Sequence, residues 1–294
     1  MTAVGFVGLG TMGAPLAERL LAAGHELYGT NRTAAKAQPL IDRGLRWHTT
    51  PRDVAAAADV VFSMVSDDAA LEAIATGPEG VLAGLAPGKV WVDMSTVSPE
   101  VGAALAERVR SAGARMLDAP VSGSVPQVLQ GTLTIMVGGD EAAFGLVEPL
   151  LHELGQTVTR VGGNGQGLLL KLAINISLAV QTLAFSEGLL LAGRGGIEPE
   201  VAARVMGVSS IGSPMLRARL PMLLELPDRA WFDVALMQKD IRLALQAATR
   251  LGLALPSAAT ADDMLTTARD LGYGERDIAA LYEVLDRAPA LARG

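Results

Sequence analysis

The chain has 294 residues, half of them apolar and 19% charged, with a formal net charge of −7 and no cysteine. That length suits two domains of about 150 residues, each large enough for its own core, and the composition is that of a folded protein. The acidic balance argues against a nucleic-acid partner, which calls for a dense basic face. The missing cysteines exclude disulfides, thiolate metal sites and cysteine nucleophiles. His25, His48 and His152 are too scattered to make a ligand cluster, so no metal is expected.

From the N-terminus, short β-rich runs alternate with helical ones. Strands are predicted at Val4–Val7, Glu26–Thr30, Val60–Met64, Val90–Met94, Arg115–Leu117, Leu133–Val137 and Thr157–Val161. Helices are predicted between them at Pro15–Ala23, Val101–Ser111 and Glu141–Leu154. Such alternation makes βαβ units and a largely parallel, doubly wound α/β sheet, a Rossmann domain. The first strand begins almost at the N-terminus and leaves no room for a secretion signal, so a cytoplasmic location is expected.

After Gly162-Gly163-Asn164-Gly165 the strand signals stop. The expected division is therefore a sheet domain over 1–162 and an all-helical domain over 163–294, with helices at Glu198–Gly207, Pro214–Leu224, Asp233–Leu251 and Ser257–Leu271. Leu168–Phe185 is long and apolar enough to suggest a membrane span. It contains Lys171, Asn175 and Gln181, which are expensive in a lone span, and a helix packed between domains is the better reading. A sheet domain followed by a helical one usually places its ligand in the cleft between them.

Gly8-Leu9-Gly10-Thr11-Met12-Gly13 is a G-x-G-x-x-G run that directly follows the first strand and opens a helix. In that setting the first glycine permits the tight turn, the second lets backbone approach a pyrophosphate, and the third packs helix on strand. The helix N-terminus then faces the phosphates. After the second strand an NAD enzyme would offer an acid to the ribose 2′-hydroxyl, and here stand Asn31, Arg32 and Thr33. An arginine and a hydroxyl suit a 2′-phosphate, so NADP is expected, with NAD possible. Met64, Val65, Ser95 and Thr96 fall at strand ends, where neighbours of the ribose and nicotinamide belong.

Lysine is scarce: Lys36, Lys89, Lys171 and Lys239 stand against twenty arginines. A lysine in an apolar helix asks why arginine would not serve, and the distinguishing property is that a desolvated lysine can exchange a proton near neutral pH. Lys171 has no acid three or four residues away, and Asn175 lies at i+4 on the same face. The plain alternative is a lysine reaching to the surface along its own stem. Asp118-Ala119-Pro120-Val121-Ser122-Gly123-Ser124 reads as a strand end and a turn. Its N–H groups at Ser122, Gly123 and Ser124 and its two hydroxyls could receive a carboxylate, or it is an ordinary connecting loop.

With these motifs in hand, the sequence resembles the β-hydroxyacid dehydrogenase family. The resemblance is carried by Gly5–Gly13, Val92–Pro99, Asp118–Ser124, Gly131–Gly139, Gly165–Asn175 and Gln238–Leu245, in family order over nearly the whole chain. It implies that Lys171 is catalytic, that Ser122 and Gly123 bind the carboxylate of a small substrate, and that Asn175 helps place it. It further implies that Thr96 and Lys239 contact the cofactor and that subunits associate through the helical domain, as a homodimer or homotetramer. Two positions depart from the family pattern, Ser124 where a second glycine is usual and Ile174-Asn175 where paired asparagines are. The implied reaction interconverts a short hydroxy acid and its semialdehyde or keto acid, with oxidation favoured at alkaline pH. An imine reductase on the same scaffold is the rival enzyme, though those relatives usually replace the lysine. A non-catalytic NADP-binding module is the rival of another class.

Overall fold

The computed structural model describes residues 2–291 and divides into two compact units, 1–171 and 172–294. The first is built on nine strands: β1 (Ala3–Val7), β2 (Glu26–Thr30), β3 (Arg46–Trp47), β4 (Val60–Ser63), β5 (Val90–Asp93), β6 (Arg115–Asp118), β7 (Val121–Ser122), β8 (Thr134–Gly139) and β9 (Thr157–Gly162). They form one sheet in the order β3-β2-β1-β4-β5-β6-β8-β7, with β9 beside β8. The first six strands are parallel, and β8 runs antiparallel to β6 and β7. The chain winds outward through β1, β2 and β3 and then returns to place β4 on the other side of β1. The strand order therefore reverses between β1 and β4, and this is the switch point where such sheets bind ligands.

Helices cover both faces, which is why these strands read as apolar runs and not as alternating ones. Val4 and Phe6 of β1 enter one core cluster, with Leu16, Ala17 and Leu20 of the helix Gly13–Ala22. Val7 enters the other, with Val54 and Ala55 of the helix Pro51–Ala57 and Leu105 and Val109 of the helix Pro99–Ser111. The expected doubly wound domain is present, with additions the sequence reading lacked: β3, β7 and the helices Pro51–Ala57, Asp68–Ala75 and Val125–Gln130. The two alanine-rich helices at 51 and 68 are short, at seven and eight residues. Their caps were nonetheless visible, because Thr50 accepts the Asp53 N–H and Asp67 the Ala70 N–H.

β9 ends at Gly162, where the strand signals stop, but the division between the units falls later, inside the helix Gln166–Arg194. The first turns of that helix belong to the sheet unit, since Leu168 is fully buried in the cluster of Val97, Leu105 and Val109. The second unit contains the rest of that helix and the helices Pro199–Val208, Pro214–Leu224, Val234–Arg250, Pro256–Asp270 and Leu281–Leu291. Its larger core joins Ala179, Met237, Ile241, Leu265 and Ile278, and a second core joins Phe185, Leu189, Leu216 and Leu220. By length and hydropathy the helix Gln166–Arg194 would also qualify as a membrane span. Leu168, Ala179, Phe185 and Leu189 of this helix are buried in these protein cores.

Lys89 shows one structural use of a scarce residue. Its Nζ donates to the carbonyls of Ala55, Ala56 and Ala58 at 2.7, 2.8 and 2.6 Å, closing the C-terminal end of the helix Pro51–Ala57 with a cation. Lys89→Met should therefore cost about 2 kcal/mol, the scale of hydrogen bonds to a charged group, read as a lower urea midpoint with an unchanged slope.

Candidate active site

The turn after β1 is shaped by what a side chain would strike. A Cβ on Gly8, whose φ is +95°, would stand 2.3 Å from the Met64 carbonyl oxygen, and one on Gly13 would stand 1.9 Å from the Gly8 carbonyl oxygen. Gly10 is the opposite case, since nothing lies within 4 Å of its Cβ direction. The loop is thus closed on the protein side and open at its centre, where a phosphate needs room. Among the described residues no side chain caps the helix Gly13–Ala22 that follows, and no acid stands in its first turn. Its N-terminus is accordingly left to an anion, and these residues fit a dinucleotide pyrophosphate.

Asn31, Arg32 and Thr33 follow β2, Met64 and Val65 follow β4, and Ser95 and Thr96 follow β5, all at the same carboxyl edge of the sheet. Leu9 is buried, and its N–H donates to Asn31 Oδ1 at 3.1 Å, while Asn31 Nδ2 donates to the Thr33 carbonyl at 3.0 Å. Asn31 therefore ties the glycine loop to the segment after β2, leaving the exposed Arg32 and Thr33 as the groups that face outward. A hollow of about 260 Å³ is lined by Thr11, Pro15, Lys36, Arg43 and Val125 among others. Arg43 is paired with Glu18. Lys36 adds a cation that the sequence reading passed over, although the scarcity of lysine used for Lys171 applies to it equally.

Two carboxylates lie side by side in register at the ends of β5 and β6, Asp93 and Asp118, each 1% exposed. Asp118 accepts the N–H groups of Gly165 at 2.8 Å and Leu168 at 3.1 Å, and so caps the helix Gln166–Arg194. The fit is tight, because a Cβ on Gly138 or Gly167 would come within 2.5 and 2.8 Å of Asp118 Oδ2. Burial raises the Asp118 pKa despite these hydrogen bonds. Lys171 follows one turn after Leu168 and is half-buried, so its place relative to the sheet is set by this cap. Burial likewise pushes Asp93 up to about 6, against the hydrogen bonds it accepts from Ser63 and Ser95 and with the Asp118 charge adding to the shift.

β7 follows β6 along the same partner strand, β8, and carries Ser122 and Gly123 past the end of β6. Gly123 has φ +129°, and a Cβ there would meet Leu133 at 2.6 Å. Ser122 is half-buried and Gly123 exposed. Ser124 does not join them as expected: its N–H and its hydroxyl both donate to Gln127 Oε1 at 2.9 Å, closing the first turn of the helix Val125–Gln130. The carboxylate-binding candidates reduce to Ser122 and Gly123.

The helical unit holds the remaining two. Asn175, 1% exposed, donates from Nδ2 to Asp240 Oδ2 at 2.5 Å, and Lys239 Nζ lies 2.9 Å from Asp240 Oδ1. Asp240 thus joins Asn175 and Lys239 into one cluster. The sequence reading had it only as part of the run Gln238–Leu245.

Residues 3–163 match the family described as the NAD binding domain of 6-phosphogluconate dehydrogenase, and residues 165–285 that described as NAD-binding of NADP-dependent 3-hydroxyisobutyrate dehydrogenase. The chain is 38% identical to 2-hydroxy-3-oxopropionate reductase of Escherichia coli (strain K12), over 96% of this chain and 97% of that one. The chain belongs to the β-hydroxyacid dehydrogenase family. Another member, glyoxylate/succinic semialdehyde reductase 2, chloroplastic, of Arabidopsis thaliana, is 32% identical over 97% of this chain and 80% of its own length. The crystal structure of 3-hydroxyisobutyrate dehydrogenase from Salmonella typhimurium superposes with a TM-score of 0.88 at 29% identity, covering 97% and 100% of the two chains.

Membership in a family of dinucleotide enzymes leaves the buried acids to be explained by physics, and neither carries a local sequence signal of burial. Because the folded pKa of Asp93 is raised above 3.8, its contribution to stability is fully present below 3.8 and is lost as pH rises through about 6. Relative to Asp93→Asn, the wild type should lose about 3 kcal/mol over that window. Paired urea titrations from pH 4 to pH 7 check this, and a pH-independent difference would contradict it.

Proposed function

We propose that this protein is an NADP-preferring dehydrogenase that interconverts a short hydroxy acid and its semialdehyde or keto acid. The observation that carries the reading is a lysine one turn beyond the Asp118-capped helix start, in the same unit as an open dinucleotide loop at the switch point. A nicotinamide dinucleotide held by the Gly8–Gly13 loop would supply the hydride-transfer chemistry at the reacting carbon. In reduction the Lys171 ammonium polarises the carbonyl oxygen and donates the proton that makes the alcohol. In oxidation the neutral amine accepts that proton. The Ser122 hydroxyl and the Gly123 N–H hold the substrate carboxylate, which fixes the reacting carbon. Asn175 orients the substrate oxygen, and Thr96 and Lys239 contact the cofactor.

Arg32, Thr33 and Lys36 support the choice of NADP, since they present two cations and a hydroxyl where a 2′-phosphate would lie. Assembly as a homodimer or homotetramer through the helical unit is part of the same proposal. Val201, Val205 and Val208, at i, i+4 and i+7 of one helix, are 40%, 58% and 76% exposed. Light scattering should give more than one chain per particle, and Val205→Glu with Val208→Glu should shift it toward the monomer.

The activity is tested by NADPH consumption with glyoxylate, succinic semialdehyde and 2-hydroxy-3-oxopropionate. Lys171→Ala should lower kcat by about 10²- to 10⁴-fold with little change in NADPH affinity. Turnover untouched by that change would remove the lysine mechanism, and turnover of imines alone would replace the substrate class. Arg32→Ala and Lys36→Ala should each raise the NADPH KM about tenfold and leave that for NADH unchanged.

A further inference from the structure

Asp93 has no part in the proton transfer, yet its carboxylate is sealed from solvent at an energetic cost that a neutral side chain would avoid. Its two oxygens are treated unequally. Among the described residues, Oδ2 has no hydrogen-bond partner. Oδ1 accepts the hydroxyl protons of Ser63 at 2.6 Å and Ser95 at 2.7 Å. On one side the Ser63 oxygen accepts the indole N–H of Trp91 at 2.8 Å, which roots the group in the sheet. On the other, the Ser95 oxygen accepts the backbone N–H of Val65 at 2.9 Å.

A hydroxyl has one proton. With the Ser95 proton committed to Asp93, its lone pairs are turned toward Val65, so the acid dictates the direction of the bond that holds the loop after β4. That loop in turn meets the glycine turn, because the Met64 carbonyl occupies the space a Cβ on Gly8 would need. Displacing Val65 would therefore move Met64 against the first residue of the dinucleotide loop. Loops from β1, β4 and β5 are linked in one chain of contacts that begins at a single carboxylate.

We infer that Asp93 is a positioning residue of the dinucleotide site, acting through Ser95 and Val65 to hold Met64 against Gly8. The inference rests on the dinucleotide reading above. Its action lies in the half of the site common to both nicotinamide cofactors, so it differs from that of Arg32 and Lys36, which concerns the 2′-phosphate alone.

The test is the dissociation constants of NADPH and NADH, by fluorescence titration of the full chain, for wild type, Asp93→Asn, Ser95→Ala and the double variant. Each single change should loosen both cofactors by the same factor, about tenfold. The double variant should be no looser than the worse single one, since both break the same relay. For Asp93→Asn the KM of the carboxylate substrate and the kcat at saturating cofactor should stay near wild type, a split that general loosening of the fold would not produce. Should Asp93→Asn fail to fold, Ser95→Ala, which removes only an oxygen, carries the same expectation for the two dissociation constants. Wild-type affinity in the single variants, additive losses in the double, or a loss confined to NADPH would each overturn the inference. If the wild type binds neither cofactor, the dinucleotide reading falls and this inference falls with it.

Discussion

The carboxylate of Asp118 joins the sheet to the start of the long helix. By accepting the N–H groups of Gly165 and Leu168 it supplies hydrogen bonds that the first turn of a helix otherwise lacks. It does so from the end of β6, so the helix start is located by a strand and not by a loop. Leu168, packed into the sheet core, fixes the rotation of the same turn. A helix advances about 100° per residue, so anchoring one turn determines where Lys171 stands on the next. Burial pushes the Asp118 carboxyl upward even so, which means that precision of placement comes at a cost in electrostatic free energy.

The two adjacent acids divide the carboxyl edge of the sheet between them. Asp118 works outward on the helix, and Asp93 works inward on the loops after β4 and β5. Both depend on small neighbours. Gly138 and Gly167 leave room for one carboxylate, and Gly8 leaves room for the Met64 carbonyl to which the other is linked. The glycines and the acids are therefore one device, since a close backbone approach is useful only if a directional bond holds it.

Much of this was legible in the residues. The alternating strand and helix runs, the end of strand signals at Gly162 and the glycine run after β1 are local patterns, and local patterns follow from the stereochemistry of a few consecutive residues. Short elements escaped for the same reason. β3 and β7 have two residues each and exist only because a neighbouring strand pairs with them. The expectation for Ser124 failed because its N–H and hydroxyl are taken by Gln127, a choice made by the turn geometry. Lys36 escaped because the hollow it lines also draws on Thr11, Pro15 and Val125, and Asp240 because Asn175, which donates to it, lies 65 residues away.

The sequence by itself determined the doubly wound sheet, the helical second unit, the dinucleotide turn, the family and the identity of the lysine worth testing. Periodicity, glycine spacing and motif order are properties of the chain read in one dimension. Only the tertiary structure decided that Asp93 and Asp118 are buried side by side, that one caps the helix of Lys171 and the other orients Ser95, and that the compact units divide inside that helix. Burial and hydrogen-bond direction depend on which distant segments meet, and separations of 47 residues between Asp118 and Gly165 or 30 between Ser63 and Asp93 leave no local trace.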